Sequence, residues 1–165
     1  MKAPFAWFGG KSKVAPEVWR RFGEIKSYVE PFFGSGAVLL GRPAPWEGTE
    51  TVNDLDGFVC NFWRALAADP EGAAIAADWP LNECDLRARH AYLIQRRESL
   101  TTRLEADPRF FDAKIAGWWA WGCRRGLDLG GVRDVFPDAV DGDAEEGFVA
   151  PFQDGPASIR FPLRR

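Results

Sequence analysis

The sequence predicts an α/β protein in which helices cover a parallel β-sheet. First, residues 27–69 alternate strand, helix, strand and helix, which is typical of parallel strands joined by crossover helices. Second, 165 residues with 46% hydrophobic and 27% charged residues suffice for one folded domain. Third, acids and glycines follow the two predicted strands, at the sheet edge where open α/β folds bind ligands.

Each predicted element has its own signal in the sequence. The strand at 27–31 ends at Pro31, because proline cannot continue a ladder of hydrogen bonds. The helix at 56–69 is indicated by apolar residues that recur on one face. The predicted elements of the first part are helices at 14–22, 37–40 and 56–69, and strands at 27–31 and 49–54.

The sequence changes character after Pro80. Asn82 is predicted to cap a long helix that runs to about Ala106, and Pro108 is predicted to begin another helix. The apolar row of the long helix is Leu86, His90, Leu93, Arg97, Leu100 and Leu104. We therefore predict an α/β part at 1–70, a helical region at 80–125 and an irregular acidic tail at 126–165.

Composition excludes several classes of function. The single histidine, His90, lies on the apolar row, which favours a packing role and rules out a two-histidine mechanism. Three cysteines without a CxxC pair argue against a disulfide framework or a zinc cluster, which fits a cytoplasmic protein. No apolar run is long enough for a membrane helix, and no signal peptide is recognised.

Charge is unevenly distributed along the chain. Residues 134–147 contain six of the 24 acidic residues and no basic residue, so the rest has a small basic surplus. That surplus permits nucleic-acid binding without requiring it. Trp118, Trp119 and Trp121 are able either to stack on bases or to pack in the core, and three such closely spaced residues cannot all share one helical face.

Three short motifs carry the chemistry: Trp7-Phe8-Gly9-Gly10-Lys11, Glu30-Pro31-Phe32-Phe33-Gly34-Ser35-Gly36 and Asn53-Asp54-Leu55-Asp56. Paired glycines allow the backbone to approach a ligand closely. Glu30 ends one predicted strand and Asp54 ends the next, so both carboxylates are expected at one sheet edge. An acid in the position of Asp54 suits ribose hydroxyls.

Two other motifs are incomplete. Gly10-Lys11-Ser12 ends like a P-loop, but Phe5 stands where the first glycine is required, and Leu39 replaces the third glycine of a dinucleotide fingerprint. An acid before the glycine turn also suits a ligand with a positive centre better than a pyrophosphate. S-adenosylmethionine, with its ammonium and sulfonium groups, is such a ligand.

Taken together, WFGGK, YVEPFFGSGAVLL and TVNDLDGFVCNFWRAL resemble the Dam-like DNA adenine methyltransferases, especially the phage and prophage branch. The resemblance covers residues 4–70 and extends more weakly over 80–124. It implies part of a Rossmann-like, S-adenosylmethionine-dependent methyltransferase fold with a helical insertion. It also implies methyl transfer to the exocyclic amine of adenine in double-stranded DNA, in a phage or restriction-modification setting.

The resemblance also implies roles for particular residues. The expected cofactor-binding residues are Trp7, Lys11, Glu30, Pro31, Phe32, Gly34, Gly36 and Asp54. The helical region would meet DNA, and the basic residues expected to contact it are Arg87, Arg89, Arg96, Arg97, Arg103, Arg124 and Arg125.

One part of the family pattern is missing. The catalytic Asp-Pro-Pro-Tyr motif, which holds and stacks the flipped adenine, is absent, because no two of the 12 prolines are adjacent. No catalytic residue is therefore predicted. We expect a truncated enzyme that is inactive alone, or one half of a split enzyme whose partner chain carries the motif. The alternative is a non-catalytic remnant that binds S-adenosylmethionine or DNA.

Overall fold

The computed structural model describes residues 3–5, 7, 9–43 and 47–123. A turn of 3-10 helix at Lys11–Lys13 precedes the first α-helix. The helices are α1 (Ala15–Phe22), α2 (Ala37–Leu40), α3 (Gly57–Ala68), α4 (Pro70–Ala77), α5 (Glu83–Ala106) and α6 (Ala113–Cys123), and the strands are β1 (Ser27–Glu30) and β2 (Thr49–Val52).

The predicted strand–helix–strand–helix pattern is confirmed, with shorter strands than expected. Strands β1 and β2 are parallel, and Glu30 stands opposite Val52 at their carboxyl ends. One face of this small sheet is buried through Tyr28 and Glu30, whereas Val29 on the other face is 66% exposed. The described residues thus form a mixed, mainly helical structure around a two-stranded parallel sheet, which is compatible with part of a methyltransferase-like α/β fold.

Helix α3 lies at the centre of the core. Asp56 begins this helix as its N-cap, since the side chain accepts a hydrogen bond from the Phe58 amide at 2.7 Å. Phe58, Val59 and Ala65 are completely or almost completely buried. Helix α3 packs against α4, α5 and α6, so a single apolar core joins the α/β part to the helical region.

The long helix α5 agrees with its prediction. Asn82 caps it by accepting a hydrogen bond from the Asp85 amide at 2.8 Å, and the helix ends at Ala106. Leu93, Leu100 and Leu104 of the predicted apolar row are buried. Over its 24 residues the helix is about 36 Å long, so it spans the whole helical region.

The structure differs from the predictions in the start of α6 and in one additional helix, α4. Helix α6 begins at Ala113 and not at Pro108, because Asp112 accepts a hydrogen bond from the Ile115 amide and acts as the cap. Asn61 of α3 fixes this point by exchanging hydrogen bonds of 2.7 and 2.9 Å with the Asp112 backbone. Helix α4 was not predicted, although Asp69 caps it and Pro70 begins it.

The predicted tail at 126–165 and residues Arg124 and Arg125 lie outside the described part of the chain. Among the described residues, no helix is both long enough and apolar enough for a membrane span. The same residues contain no cluster of three or more histidine, cysteine, aspartate or glutamate side chains suited to a metal ion.

Candidate functional site

Glu30 is a buried carboxylate at the carboxyl end of β1. Its side chain points to the covered face of the sheet, as the two-residue period of a strand requires, and the residue is only 4% exposed. The Tyr28 hydroxyl donates a hydrogen bond to Oε2 at 2.6 Å, and the Lys11 ammonium lies 2.6 Å from Oε1. Lys11 also donates to the Phe32 carbonyl. The segment before α1 is thereby attached to the end of β1.

The turn after β1 depends on glycines with left-handed backbone angles. Gly34 has φ +50° and Gly36 has φ +65°, and both are buried. A Cβ atom on Gly34 would lie 2.7 Å from the Trp7 indole, so the ring packs directly on the glycine backbone. The indole of Trp63, a residue of α3, donates a hydrogen bond of 2.9 Å to the Gly34 carbonyl.

Asp54 joins the loop after β2 to the glycine turn. Its Oδ2 accepts a hydrogen bond from the Gly34 amide at 2.7 Å, and its Oδ1 accepts one from the Asp56 amide at 3.0 Å. Burial raises the pKa of this carboxyl group, and the two backbone hydrogen bonds oppose the rise. The acids at the carboxyl ends of the two strands thus lie at one sheet edge: Glu30 pairs with the Lys11 ammonium, whereas Asp54 accepts hydrogen bonds from backbone amides and the nearby Lys11 charge also lowers its pKa.

The remaining predicted site residues contribute mainly through their backbone. Pro31 and Phe32 have exposed side chains. The Pro31 carbonyl accepts a hydrogen bond from the Asn53 side chain at 3.2 Å, and the Phe33 amide donates to the Asn53 carbonyl at 2.9 Å. These bonds tie the loop after β1 to the loop after β2, so the second and third motifs form one continuous surface.

Sequence reasoning missed Tyr28 and Trp63, which support the site. Tyr28 precedes Glu30 by two residues, so the alternation of side chains along a strand would have placed both on one face. Trp63 lies in α3 and is buried in the core. Its hydrogen bond to Gly34 joins residues 29 positions apart and has no local signal in the sequence.

The basic residues of the helical region have unequal access to solvent. Arg89 is only 6% exposed, and its guanidinium lies 4.6 to 5.1 Å from the ring centres of Trp79, Trp118 and Trp121. The prediction that Arg89 contacts DNA is therefore wrong, because the indoles enclose its charge. Arg97 is half-buried over Phe58, whereas Arg87, Arg96 and Arg103 are exposed.

The described residues thus place a glycine turn between two parallel strands, with Glu30 as the last residue of β1 and Asp54 shortly after β2. The chain matches the family described as D12 class N6 adenine-specific DNA methyltransferase over residues 7–112. Because this match covers more than half of its 165 residues, the chain belongs to that family. The matched range includes every predicted cofactor-binding residue and all of α5.

A protein of Escherichia phage P1, the DNA N-6-adenine-methyltransferase, is 30% identical to this chain over 93 residues. The aligned part is 53% of this chain and 12% of the phage protein, so the chain spans a small fraction of that relative's length. No solved structure gave a significant match. The resemblance to DNA adenine methyltransferases is thus confirmed at the level of the family, and this relative is a phage protein.

Proposed function

We propose that the chain binds S-adenosylmethionine at the edge formed by β1, the glycine turn and β2, as the cofactor-binding part of a DNA adenine methyltransferase. The observation that carries this proposal is the junction of the three motifs. Lys11 contacts Glu30, and Gly34 donates to Asp54, although these residues come from separate segments. The three motifs therefore meet at one sheet edge, as a shared ligand would require.

The charges at this edge suit S-adenosylmethionine. Glu30 already accepts one ammonium, that of Lys11, and its Oε1 makes no further hydrogen bond within the described residues. A buried carboxylate of this kind favours a ligand amino group. Each Asp54 oxygen accepts one backbone amide and keeps capacity for another donor, such as a ribose hydroxyl.

When bound, S-adenosylmethionine supplies an electrophilic methyl group on its sulfonium. The residues of this chain would bind and orient it: Glu30 at the amino group, Asp54 at the ribose, and Trp7 as an apolar wall beside the glycine turn. Gly34 and Gly36 supply the left-handed backbone angles of the turn, and because they lack a Cβ, the rings of Trp7 and Trp63 pack directly against it. Pro31 and Phe32 complete the rim of the turn.

We further propose that the helical region contacts double-stranded DNA. Arg96 and Lys114 are exposed, and both lie over the Tyr92 ring, at 5.1 and 4.8 Å from its centre. Neither forms an ion pair within the described residues, whereas Arg87 is paired with Glu83. Cations without carboxylate partners are free to contact phosphates, and the neighbouring ring offers a stacking surface.

The adenine-holding step is assigned to a separate polypeptide segment. The 165 residues contain no Asp-Pro-Pro-Tyr motif, and Glu30 and Asp54 are committed to the cofactor side in this proposal. A second chain that carries this motif would complete a split enzyme. The alternative, a non-catalytic module that binds S-adenosylmethionine or DNA, requires the same site without that partner.

The test is calorimetric titration of the purified chain with S-adenosylmethionine. Asp54→Ala should weaken binding by about 1.5–3 kcal/mol, the usual contribution of a charged hydrogen bond. Asp78→Ala, at an exposed aspartate that ends α4, is the matched control and should leave affinity unchanged. Thermal unfolding of each variant shows whether the turn remains folded. Absence of binding by the unaltered chain would overturn the proposal.

A further inference from the structure

Trp119 connects the helical region to the cofactor-binding edge. It lies in α6, is 1% exposed, and its ring centre is 5.8 Å from that of Trp7 and 4.9 Å from that of Phe5. Phe5 and Trp7 also contact one another, with 5.8 Å between their ring centres. Trp119, which is distant in sequence, thus packs against Trp7 of the first motif.

Trp7 depends on such support because its own segment contains little regular structure. The described residues before Lys11 form no helix or strand, and the local backbone bond is a turn in which the Gly10 amide donates to the Trp7 carbonyl at 3.0 Å. The Trp7 ring therefore contacts Gly34 and the aromatic rings of Phe5 and Trp119.

Trp119 itself is held firmly. Its ring centre lies 5.7 Å from that of Phe62 in α3, and Asn61, the neighbouring residue, binds the backbone of Asp112 just before α6 begins. Helix α6 is thereby anchored to α3, which also supplies the Trp63 hydrogen bond to Gly34. Trp119, which contacts Trp7, and Trp63, which binds Gly34, are therefore parts of the same packed core of α3 and α6.

We propose that Trp119 is a positioning residue for the cofactor site: it holds the Trp7 indole against Gly34, and its loss lowers affinity for S-adenosylmethionine without any contact to that ligand. The inference rests on the proposed function, because it needs Trp7 to line the cofactor site. Its physical basis is the preorganisation of an apolar wall by aromatic packing.

The experiment compares two tryptophans of the same helix. Trp121 is also buried, at 3% exposure, but its contacts are with Trp79 and Arg89 and not with Trp7. Leu and Phe replacements are made at both positions, and each variant is titrated with S-adenosylmethionine and unfolded thermally. Trp119→Leu should weaken binding about fivefold to tenfold, the scale of one or two aromatic contacts. Trp119→Phe should recover part of that loss.

Trp121→Leu should lower the midpoint of thermal unfolding about as much as Trp119→Leu does. Its affinity for S-adenosylmethionine should stay within about twofold of the unaltered chain, because the packing around Trp7 is unchanged. If Trp119→Leu does not fold, the same comparison is made between Trp119→Phe and Trp121→Phe. Equal effects of the two positions on affinity would overturn the inference, because the role of Trp119 would then be stability alone.

A double-mutant cycle separates positioning from a general loss of packing. In a Trp7→Ala background the ring that Trp119 supports is gone, so Trp119→Phe should no longer change affinity. A full additive loss in that background would contradict the proposed route through Trp7. Failure of the unaltered chain to bind would instead overturn the proposed function, so the two failures are distinguishable.

Discussion

Glu30 and Asp54 illustrate two ways in which a protein keeps a carboxylate at a sheet edge. Glu30 is balanced by the Lys11 ammonium and by the Tyr28 hydroxyl, and the same carboxylate raises the pKa of Tyr28 together with burial. Asp54 is balanced by backbone amides, which carry no net charge. A ligand that donates hydroxyls would suit Asp54, whereas a ligand amino group at Glu30 would share this carboxylate with Lys11.

Asp56 should make stability depend on pH. Burial, which outweighs its hydrogen bond from Phe58, raises its pKa to about 6, and the negative charge of Asp54 adds to the rise. Because the pKa of Asp56 is higher in the folded than in the unfolded state, its uncharged form favours folding. This contribution to the free energy of unfolding is fully present below about pH 4 and is lost as the pH rises through about 6.

Asp56→Asn keeps an N-cap acceptor and removes the charge. It should therefore increase the free energy of unfolding by up to about 3 kcal/mol at pH 8 and change it little at pH 4. Urea unfolding of both proteins across this range measures the difference. A gain that is the same at pH 4 and pH 8 would contradict the assigned titration.

Gly34→Ala should destabilise the fold through one added methyl group. Gly34 has φ +50°, which L residues adopt at a cost, and the new Cβ would stand 2.7 Å from the Trp7 indole. We expect a loss of about 1–3 kcal/mol of unfolding free energy, measured by urea unfolding. Gly9→Ala is the control, because Gly9 has φ +67° but nothing lies within 4 Å of its Cβ position. An equal loss in the control would mean that backbone strain alone is responsible.

At the scale of single elements, α5 presents a row of arginines that pass from buried to exposed. Arg89, Arg96 and Arg103 are seven residues apart and share one face, and each lies over at least one aromatic ring. Only Arg89 is buried, because three indoles enclose it, and its Nη1 atom has no hydrogen-bond partner in the described part of the chain. Arg89 thus packs near the start of α5, whereas Arg96 and Arg103 are exposed to solvent.

The exposed cations of α5 and α6 should govern DNA affinity. The double variant Arg96→Gln, Lys114→Gln should lower affinity for a short DNA duplex and reduce the slope of log K against log salt by about 2, one unit for each lost phosphate contact. Fluorescence anisotropy at several salt concentrations measures both quantities. Arg20→Gln, Arg21→Gln is the control, because both arginines lie in α1, outside the helical region, and are paired with Glu17. Equal effects of both double variants would mean that DNA affinity depends on the overall charge of the protein and not on this surface.

At the scale of the whole molecule, the described sheet is open. Strands β1 and β2 each pair with only one neighbour among the described residues, and Val29 is exposed on the uncovered face. Unpaired strand edges and an apolar face are features that proteins normally cover. The open sheet agrees with a chain that spans 12% of the length of its phage P1 relative.

The 165-residue polypeptide alone should not methylate DNA. Methyl transfer requires the adenine amine to be held by hydrogen-bond acceptors and aimed at the sulfonium, a positioning effect that contributes up to about 7–11 kcal/mol. Lys11 offers donors only, so it cannot replace the missing Asp-Pro-Pro-Tyr acceptors. Incorporation of labelled methyl groups into unmethylated DNA is the measurement.

The background for this assay is the Lys11→Ala, Asp54→Ala double variant, in which the proposed cofactor site is impaired. Methyl transfer by the unaltered chain above that background would contradict the prediction and would mean that another group holds the adenine. Addition of a polypeptide that carries the missing motif should restore transfer if the enzyme is split.

Local signals accounted for most elements of the fold. The Asn82 cap, the apolar row of α5 and the strand–helix–strand–helix pattern act between near neighbours, so they can be read from the chain before it folds. The start of α6 could not, because Asn61 selects it by bonding the Asp112 backbone across 51 residues. A capping aspartate at 112 competes locally with Pro108, and only the long-range bond decides between them.

The motifs themselves, with their glycines and acids, identified the family to which the chain belongs, and they predict a ligand site at the sheet edge where they meet. Tertiary structure alone decided that Lys11 pairs with Glu30, that Arg89 is enclosed by indoles, and that Trp119 supports Trp7. These contacts join segments far apart in the chain, and their energies depend on distance and burial, which exist only once the core has closed.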